Sequence, residues 1–239
     1  MKLIPIGIKE LDELLGGGLP ARSNILVIGE PGCGKTIFSL QIIANGLQAG
    51  EPALFITTDS PPAEIRQQLE SLGCNISLYE SKNMVRFVDC YSWTLGIEQA
   101  RTTSQTEYIV PGPADLNQLS VAISRARNDI WKPEANIRIF FKSISTLLLH
   151  NNPKIVFRFL QVINARAKAS DSISFLLVEE GMHEKNVIIT LEHLTDGTIE
   201  FKIENGQKYL RIPRMSFGKA IYNWILFDIA EKGAIIKRV

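Results

Sequence analysis

The sequence predicts an α/β fold: a mainly parallel β-sheet flanked by helices, with a hairpin-rich C-terminal edge. Three features predict it. Short apolar runs alternate with longer amphipathic stretches, the pattern of βαβ units. A glycine-rich loop joins a strong apolar run to a long amphipathic stretch. After Gly197 the texture changes to shorter runs joined by tight-turn pairs such as Asn205-Gly206.

Taken in order, Asn24–Gly29 (NILVIG) is a compact apolar run and reads as a buried strand. Lys35–Leu47 carries Ile37, Phe38, Leu40, Ile43, Ala44 and Leu47 at helical spacing. Ala53–Thr57 reads as a strand, and Ala63–Leu72 as a helix opened by Pro61-Pro62. Val85–Val88, Ile137–Phe141 and Ile173–Val178 are further strands. Asp115–Asp129 and Pro153–Lys168 are helices, the second striped by Ile155, Val156, Phe159, Leu160 and Ile163. Thr198–Ile203, Lys208–Ile212 and Ile225–Asp228 are the short strands of the edge. No linker interrupts the order, so residues 1–239 are expected to form a single domain.

Bulk properties exclude little beyond extremes. With 239 residues, 45% hydrophobic and 21% charged, the chain suits one sizeable α/β core. Its 26 basic and 25 acidic residues give a net charge of +1, so no bulk field draws it to nucleic acid or membrane. Cys33, Cys74 and Cys90 have no metal-ligand spacing and form no even disulfide set, which points to a reducing, cytoplasmic setting. The N-terminal stretch is too charged for a signal peptide. The apolar runs Ile137–Phe141 and Ile144–Leu149 are split by Lys142 and fall short of the roughly 20 residues of a membrane helix.

Gly29-Glu30-Pro31-Gly32-Cys33-Gly34-Lys35-Thr36 fits G-x-x-x-x-G-K-[ST], with a strand before it and a helix after. Glycines let backbone N–H groups curl around an anion, and the helix opening near Lys35 adds its positive end. Lys35 is expected to reach the β- and γ-phosphates, and the Thr36 hydroxyl to hold Mg²⁺. Cys33 reads as a small filler that also offers a target to thiol reagents.

These residues, with others, resemble the KaiC and RadA-like branch of the RecA-fold ATPases over nearly the whole chain. The resemblance begins at Gly7-Ile8 and Leu11-Asp12-Glu13-Leu14-Leu15-Gly16-Gly17-Gly18-Leu19-Pro20. It continues through the phosphate loop, Pro62-Ala63-Glu64-Ile65 and Ser143-Ile144-Ser145-Thr146-Leu147-Leu148. It ends with Glu179-Glu180-Gly181-Met182-His183 and Leu194-Thr195-Asp196-Gly197-Thr198-Ile199. It implies a RecA-like core, ATP as the nucleotide, and a homo-oligomeric ring or filament with ATP between neighbours.

The chain departs from that pattern at three places. The strand expected to end in a magnesium-supporting Asp (Walker B) runs Ile137-Arg138-Ile139-Phe140-Phe141 into Lys142-Ser143, and no acid lies between Ile137 and His150. The tandem acids implied after the second strand are Asp59 and Ser60, which leaves Asp59 as the catalytic candidate. The segment that reaches a neighbour's ATP reads Arg214-Met215-Ser216-Phe217-Gly218-Lys219-Ala220, leaving Arg214 and Lys219 as trans cations. An intact phosphate loop with three altered catalytic elements implies nucleotide binding with weak or absent hydrolysis. Lys142 either partly replaces Mg²⁺, swings out, or pairs with Asp59.

Glu179-Glu180 ends a strand at the ligand-binding edge and either senses the γ-phosphate or is loop charge. His150, His183 and His193 form no zinc signature and read as structural or surface residues. Tyr91, Trp93 and Tyr108 lie in or near the polar stretch Ser92–Gly112, where Arg101 is the lone base; they read as loop anchors or a subunit contact before base-stacking groups. Lys208, Arg211, Lys232, Lys237 and Arg238 read as solvated strand faces and ring contacts. Three functions follow in order: a nucleotide-gated regulatory module with a protein partner, a recombinase (RadA) paralogue on single-stranded DNA, and an active Mg²⁺-dependent ATPase.

Overall fold

A computed structural model describes residues 2–95, 105–133, 135–230 and 233–237. The chain opens with β1 (Leu3–Ile4), α1 (Lys9–Leu15) and β2 (Leu19–Pro20), the two strands pairing antiparallel. The core follows as β3 (Asn24–Gly29), α2 (Lys35–Gln48), β4 (Ala53–Thr57), α3 (Pro62–Ser71), α4 (Ile76–Ser81), β5 (Val85–Asp89), β6 (Glu107–Ile109) and α5 (Leu116–Ile130). It continues as β7 (Ile137–Lys142), α6 (Ile144–His150), α7 (Pro153–Ala169), β8 (Ser172–Glu179) and α8 (Lys185–His193). The end is antiparallel: β9 (Gly197–Glu204), β10 (Gln207–Met215), β11 (Ile221–Ala230) and β12 (Gly233–Ile236).

Ten strands make one sheet in the order β12-β11-β10-β9-β3-β8-β7-β4-β5-β6. Every pair from β9 through β6 is parallel, so the expected parallel sheet with a hairpin edge is what forms. Central strands are buried on both faces, which is why they read as unbroken apolar runs. In β7, Phe140 faces the layer of α2, α3 and the N-terminal lead-in, and Phe141 faces the layer of α5 and α7. Capping side chains fix the starts of α5 and α7: Asp115 Oδ1 accepts from Gln118 N at 2.9 Å, and Asn152 Oδ1 accepts from Lys154 N at 3.0 Å ahead of Pro153.

The hairpin edge curls over α2. Phe38 of α2 meets Phe201 of β9 edge-on at 5.2 Å, and Phe201 meets Phe227 of β11 at 5.4 Å. Ala234 N donates to Gln41 Oε1 at 2.6 Å, tying β12 to the same helix. The buried Arg138 joins three segments: its guanidinium pairs with Glu51 and donates to Ile42 O at 2.6 Å and Pro5 O at 2.9 Å. Sequence spacing placed the third edge strand at Ile225–Asp228, whereas β11 spans Ile221–Ala230; pairing of Ile221 with Ile212 extends it beyond its apolar centre. Among the described residues, no helix is long and apolar enough to cross a membrane.

Candidate phosphate-binding site

The sheet order brings four strand ends side by side at the carboxyl edge, where ligands of open α/β sheets bind. Gly29 ends β3 opposite Glu179 of β8. Lys142 ends β7 opposite Thr57 of β4, and Asp59 follows two residues later.

The loop from Gly29 to Lys35 forms as its motif predicts. A Cβ on Gly29 would lie 2.7 Å from Phe201 Cβ and 2.8 Å from Cys33 Sγ, so only glycine fits beneath the loop. Gly34 has φ +98° and leads directly into α2, and no side chain caps that helix. Its first N–H groups are therefore left for an anion. Glu30 Oε1 accepts from Ile203 N at 2.8 Å and anchors the loop to β9, while Pro31 and Gly32 are exposed. Cys33 is fully buried, and burial pushes its thiol above the ordinary range, so it is a filler shielded from thiol reagents.

Lys35 is buried, and its ammonium pairs with Glu179 Oε2 at 2.6 Å and donates to Glu30 O at 3.3 Å. Glu179 is held in turn: its N–H donates to Ser145 Oγ at 2.9 Å, and Glu180 N donates to Gly29 O at 3.0 Å. Glu180 is exposed; the nearby carboxylates of Glu200 and Glu30 add to partial desolvation in raising its carboxyl above the usual range. Thr36 is half-buried in the first turn of α2.

Lys142 turns toward β4 and α3. Its Nζ donates to Ser60 Oγ at 3.0 Å and lies 3.5 Å from Asp59 Oδ1 and 3.5 Å from Glu64 Oε1. The backbone beneath is fixed by Thr58, whose N donates to Lys142 O at 2.7 Å and whose Oγ1 accepts from Ser143 N at 2.7 Å. Desolvation raises the Asp59 carboxyl above its ordinary value, and the Lys142 ammonium opposes that shift. Ser143 is buried and caps α6, accepting from Ser145 N at 3.2 Å; its hydroxyl therefore serves the helix start. Glu64, which the sequence offered only as a family landmark, joins the Lys142 cluster, and Ser145 joins Glu179.

This donor set does not suit Mg²⁺. Magnesium takes near-octahedral oxygens, with carboxylates behind its waters. Here Thr36 supplies one hydroxyl, and the carboxylates of Asp59 and Glu64 already face an ammonium. Among the described residues, no group of three or more His, Cys, Asp or Glu could hold a metal.

The other predicted residues lie elsewhere. Arg214 sits at the opposite, amino edge, where its Nη2 donates to Glu192 O, to Thr195 O at 2.6 Å and to Thr195 Oγ1 at 3.0 Å, complementing the C-terminus of α8. Lys219 is exposed and lies over Gly16. A cavity of about 870 Å³ opens at that edge, flanked by Pro20, Arg22, Lys168, Asp196, Met215 and Phe217. Tyr108 is hydrogen-bonded to Asp129, Tyr91 N donates to Asp89 Oδ1 at 2.8 Å, and Trp93 is 41% exposed; residues 96–104 of that polar stretch lie outside the described residues. Arg101, Lys232 and Arg238 lie outside the described residues. Arg211 pairs with Glu200 at 2.6 Å and Lys237 with Asp228 at 2.8 Å, as solvated strand faces do. His183 is half-buried and pushed down by desolvation; His150 and His193 are exposed at helix ends.

A mixed, mostly parallel sheet with a glycine loop wrapped on an uncapped helix start defines a P-loop α/β protein built for nucleotide phosphates. Comparison with known proteins agrees: the family described as "ATPase: KaiC" matches residues 4–238, and the chain belongs to that family. A UPF0273 protein of Methanopyrus kandleri is 32% identical over 202 residues, 84% of this chain and 77% of that protein. A UPF0273 protein of Pyrococcus horikoshii is 30% identical over 242 residues, 98% of this chain and 93% of that one. The crystal structure of a KaiC-like protein from Pyrococcus horikoshii shares the RecA-like fold, with a TM-score of 0.78 over 99% of each chain at 20% identity.

Proposed function

We propose that the chain binds ATP through Gly29–Thr36, hydrolyses it slowly or not at all, and acts as a nucleotide-gated regulatory module. The observation that carries this is the pairing of Lys142 with Asp59 at 3.5 Å beside an intact phosphate loop. A carboxylate that orients water must face the phosphates with free lone pairs; Asp59 instead faces an ammonium. Ser60, in the second acidic position of the family pattern, accepts from that same ammonium and is not a base.

Gating follows from Lys35. Its ammonium exchanges Glu179 for phosphate oxygens on loading, which frees Glu179 at the head of the segment leading into α8. In this reading residues 1–239 act as one unit, assembled as a homo-oligomer. Arg214 and Lys219 then lie on the face turned to a neighbour, and Met215 and Phe217 between them flank the 870 Å³ cavity.

Calorimetric titration with ATP tests the reading, with Lys35→Ala as control and phosphate release followed in the same samples. Binding lost in Lys35→Ala, without release above it, is the expected result. Salt-sensitive binding of single-stranded DNA would instead favour a recombinase paralogue. Robust Mg²⁺-dependent release would make the chain a working ATPase.

A further inference from the structure

Two sets of acidic side chains beside the phosphate loop are matched to lysines at neighbouring strand ends. Glu179 of β8 holds Lys35, and Asp59 with Glu64 faces Lys142 of β7. Lys142 is no stray surface cation. Its side chain is 15% exposed, its backbone is pinned by Thr58, and its ammonium sits among three oxygens at the edge where the loop opens.

Two of those oxygens lie at 3.5 Å, beyond the roughly 2.7–2.9 Å of tight ammonium–carboxylate hydrogen bonds. The ammonium is thus positioned by its neighbours yet keeps donor capacity, since a lysine carries three N–H groups. A dication placed here would meet that positive charge and find the nearest carboxylates turned to it.

We propose that Lys142 stands in for the divalent cation: the phosphates of a nucleoside triphosphate are held by the Lys35 and Lys142 ammoniums, without Mg²⁺. This rests on the nucleotide-binding reading above. Lys142 acts as a specificity-determining residue that removes the metal requirement and makes the free, metal-less nucleotide a competent ligand.

The test is titration of the full chain with ATP in excess Mg²⁺ and in excess EDTA, on wild type, Lys142→Asp and Lys142→Met, with folding checked by circular dichroism. Wild type is expected to bind with affinities within about twofold in the two buffers. Lys142→Asp restores a carboxylate and is expected to bind at least roughly tenfold more tightly with Mg²⁺ than with EDTA. Lys142→Met, which removes charge without adding a ligand, is expected to weaken binding in EDTA by a similar factor. A wild-type affinity that falls tenfold or more in EDTA overturns the proposal, even if neither variant folds. Absence of binding in both buffers overturns the nucleotide reading as well, and so is distinguishable from binding that needs the metal.

Discussion

The buried ammonium of Lys35 lies 2.6 Å from the carboxylate of Glu179, so the lysine of the phosphate loop is paired before any phosphate arrives. Phosphates must compete with an internal anion. Glu179→Gln removes the competitor and leaves Lys35 buried without a counter-charge. It is expected to lower the stability of the nucleotide-free chain by about 1–3 kcal/mol and to tighten ATP binding by roughly tenfold. Thermal unfolding with and without ATP checks both: a lower starting midpoint with a larger nucleotide-induced rise.

The thiols offer a second check on the loop. Cys33, Cys74 and Cys90 are all free and buried, and burial raises each thiol above its ordinary range. A thiol-reactive dye is expected to find no fast-reacting group in native buffer and three in denaturant. Rapid native labelling at Cys33 would mean that the loop opens far more than its packing under Gly29 and Phe201 implies.

Asp59 gives a pH signature. Its carboxyl is raised above the ordinary 3.8 by desolvation, so the folded state holds that proton to higher pH than the unfolded chain does. Stability from this group is present below 3.8 and is lost as pH rises through the raised value. Asp59→Asn removes this dependence. Its stability relative to wild type is therefore expected to climb with pH just above 3.8 and then level off, as read from urea unfolding across pH 3 to 7.

Arg138 is the structural pin of the lead-in. It is buried in β7 and holds Glu51, Ile42 O and Pro5 O together. Arg138→Met leaves the Glu51 carboxylate without its counter-charge, with only the Asn136 amide donating to it, and removes the donor to Ile42 O and Pro5 O; it is expected to cost about 3–5 kcal/mol in denaturant unfolding. A loss under 1 kcal/mol would show that apolar packing and the Asn45 bond to Ile6 O hold the lead-in without Arg138.

Strands β3, β4 and β7 were legible because burial on both faces leaves continuous apolar runs in the sequence. Helix α8 was not, because it is nine residues long, Leu191 is its one buried residue, and its stripe of Val187 and Ile188 is only partly buried. In the site, Gly29 to Thr36 announces itself by spacing. The pairing of Lys35 with Glu179 does not, because 144 residues separate them and only the sheet order makes them neighbours. Of the three readings that a lysine at position 142 left open, the packing of α3 excludes the one in which it swings out: its ammonium lies between Asp59 and Glu64. Nor does the sequence around Arg214 foretell that its guanidinium donates to Thr195 O of its own chain, because that contact too depends on the fold.

The central claim is that ATP is bound and left intact. Stoichiometric γ-labelled ATP incubated with the protein in Mg²⁺, then quenched and separated over time, addresses it directly. Most of the bound nucleotide is expected to be recovered as ATP after hours, with none retained by Lys35→Ala. Conversion of bound ATP to ADP within seconds to minutes, absent in Lys35→Ala and impaired in Asp59→Asn, would contradict the account and make Asp59 a working catalytic residue.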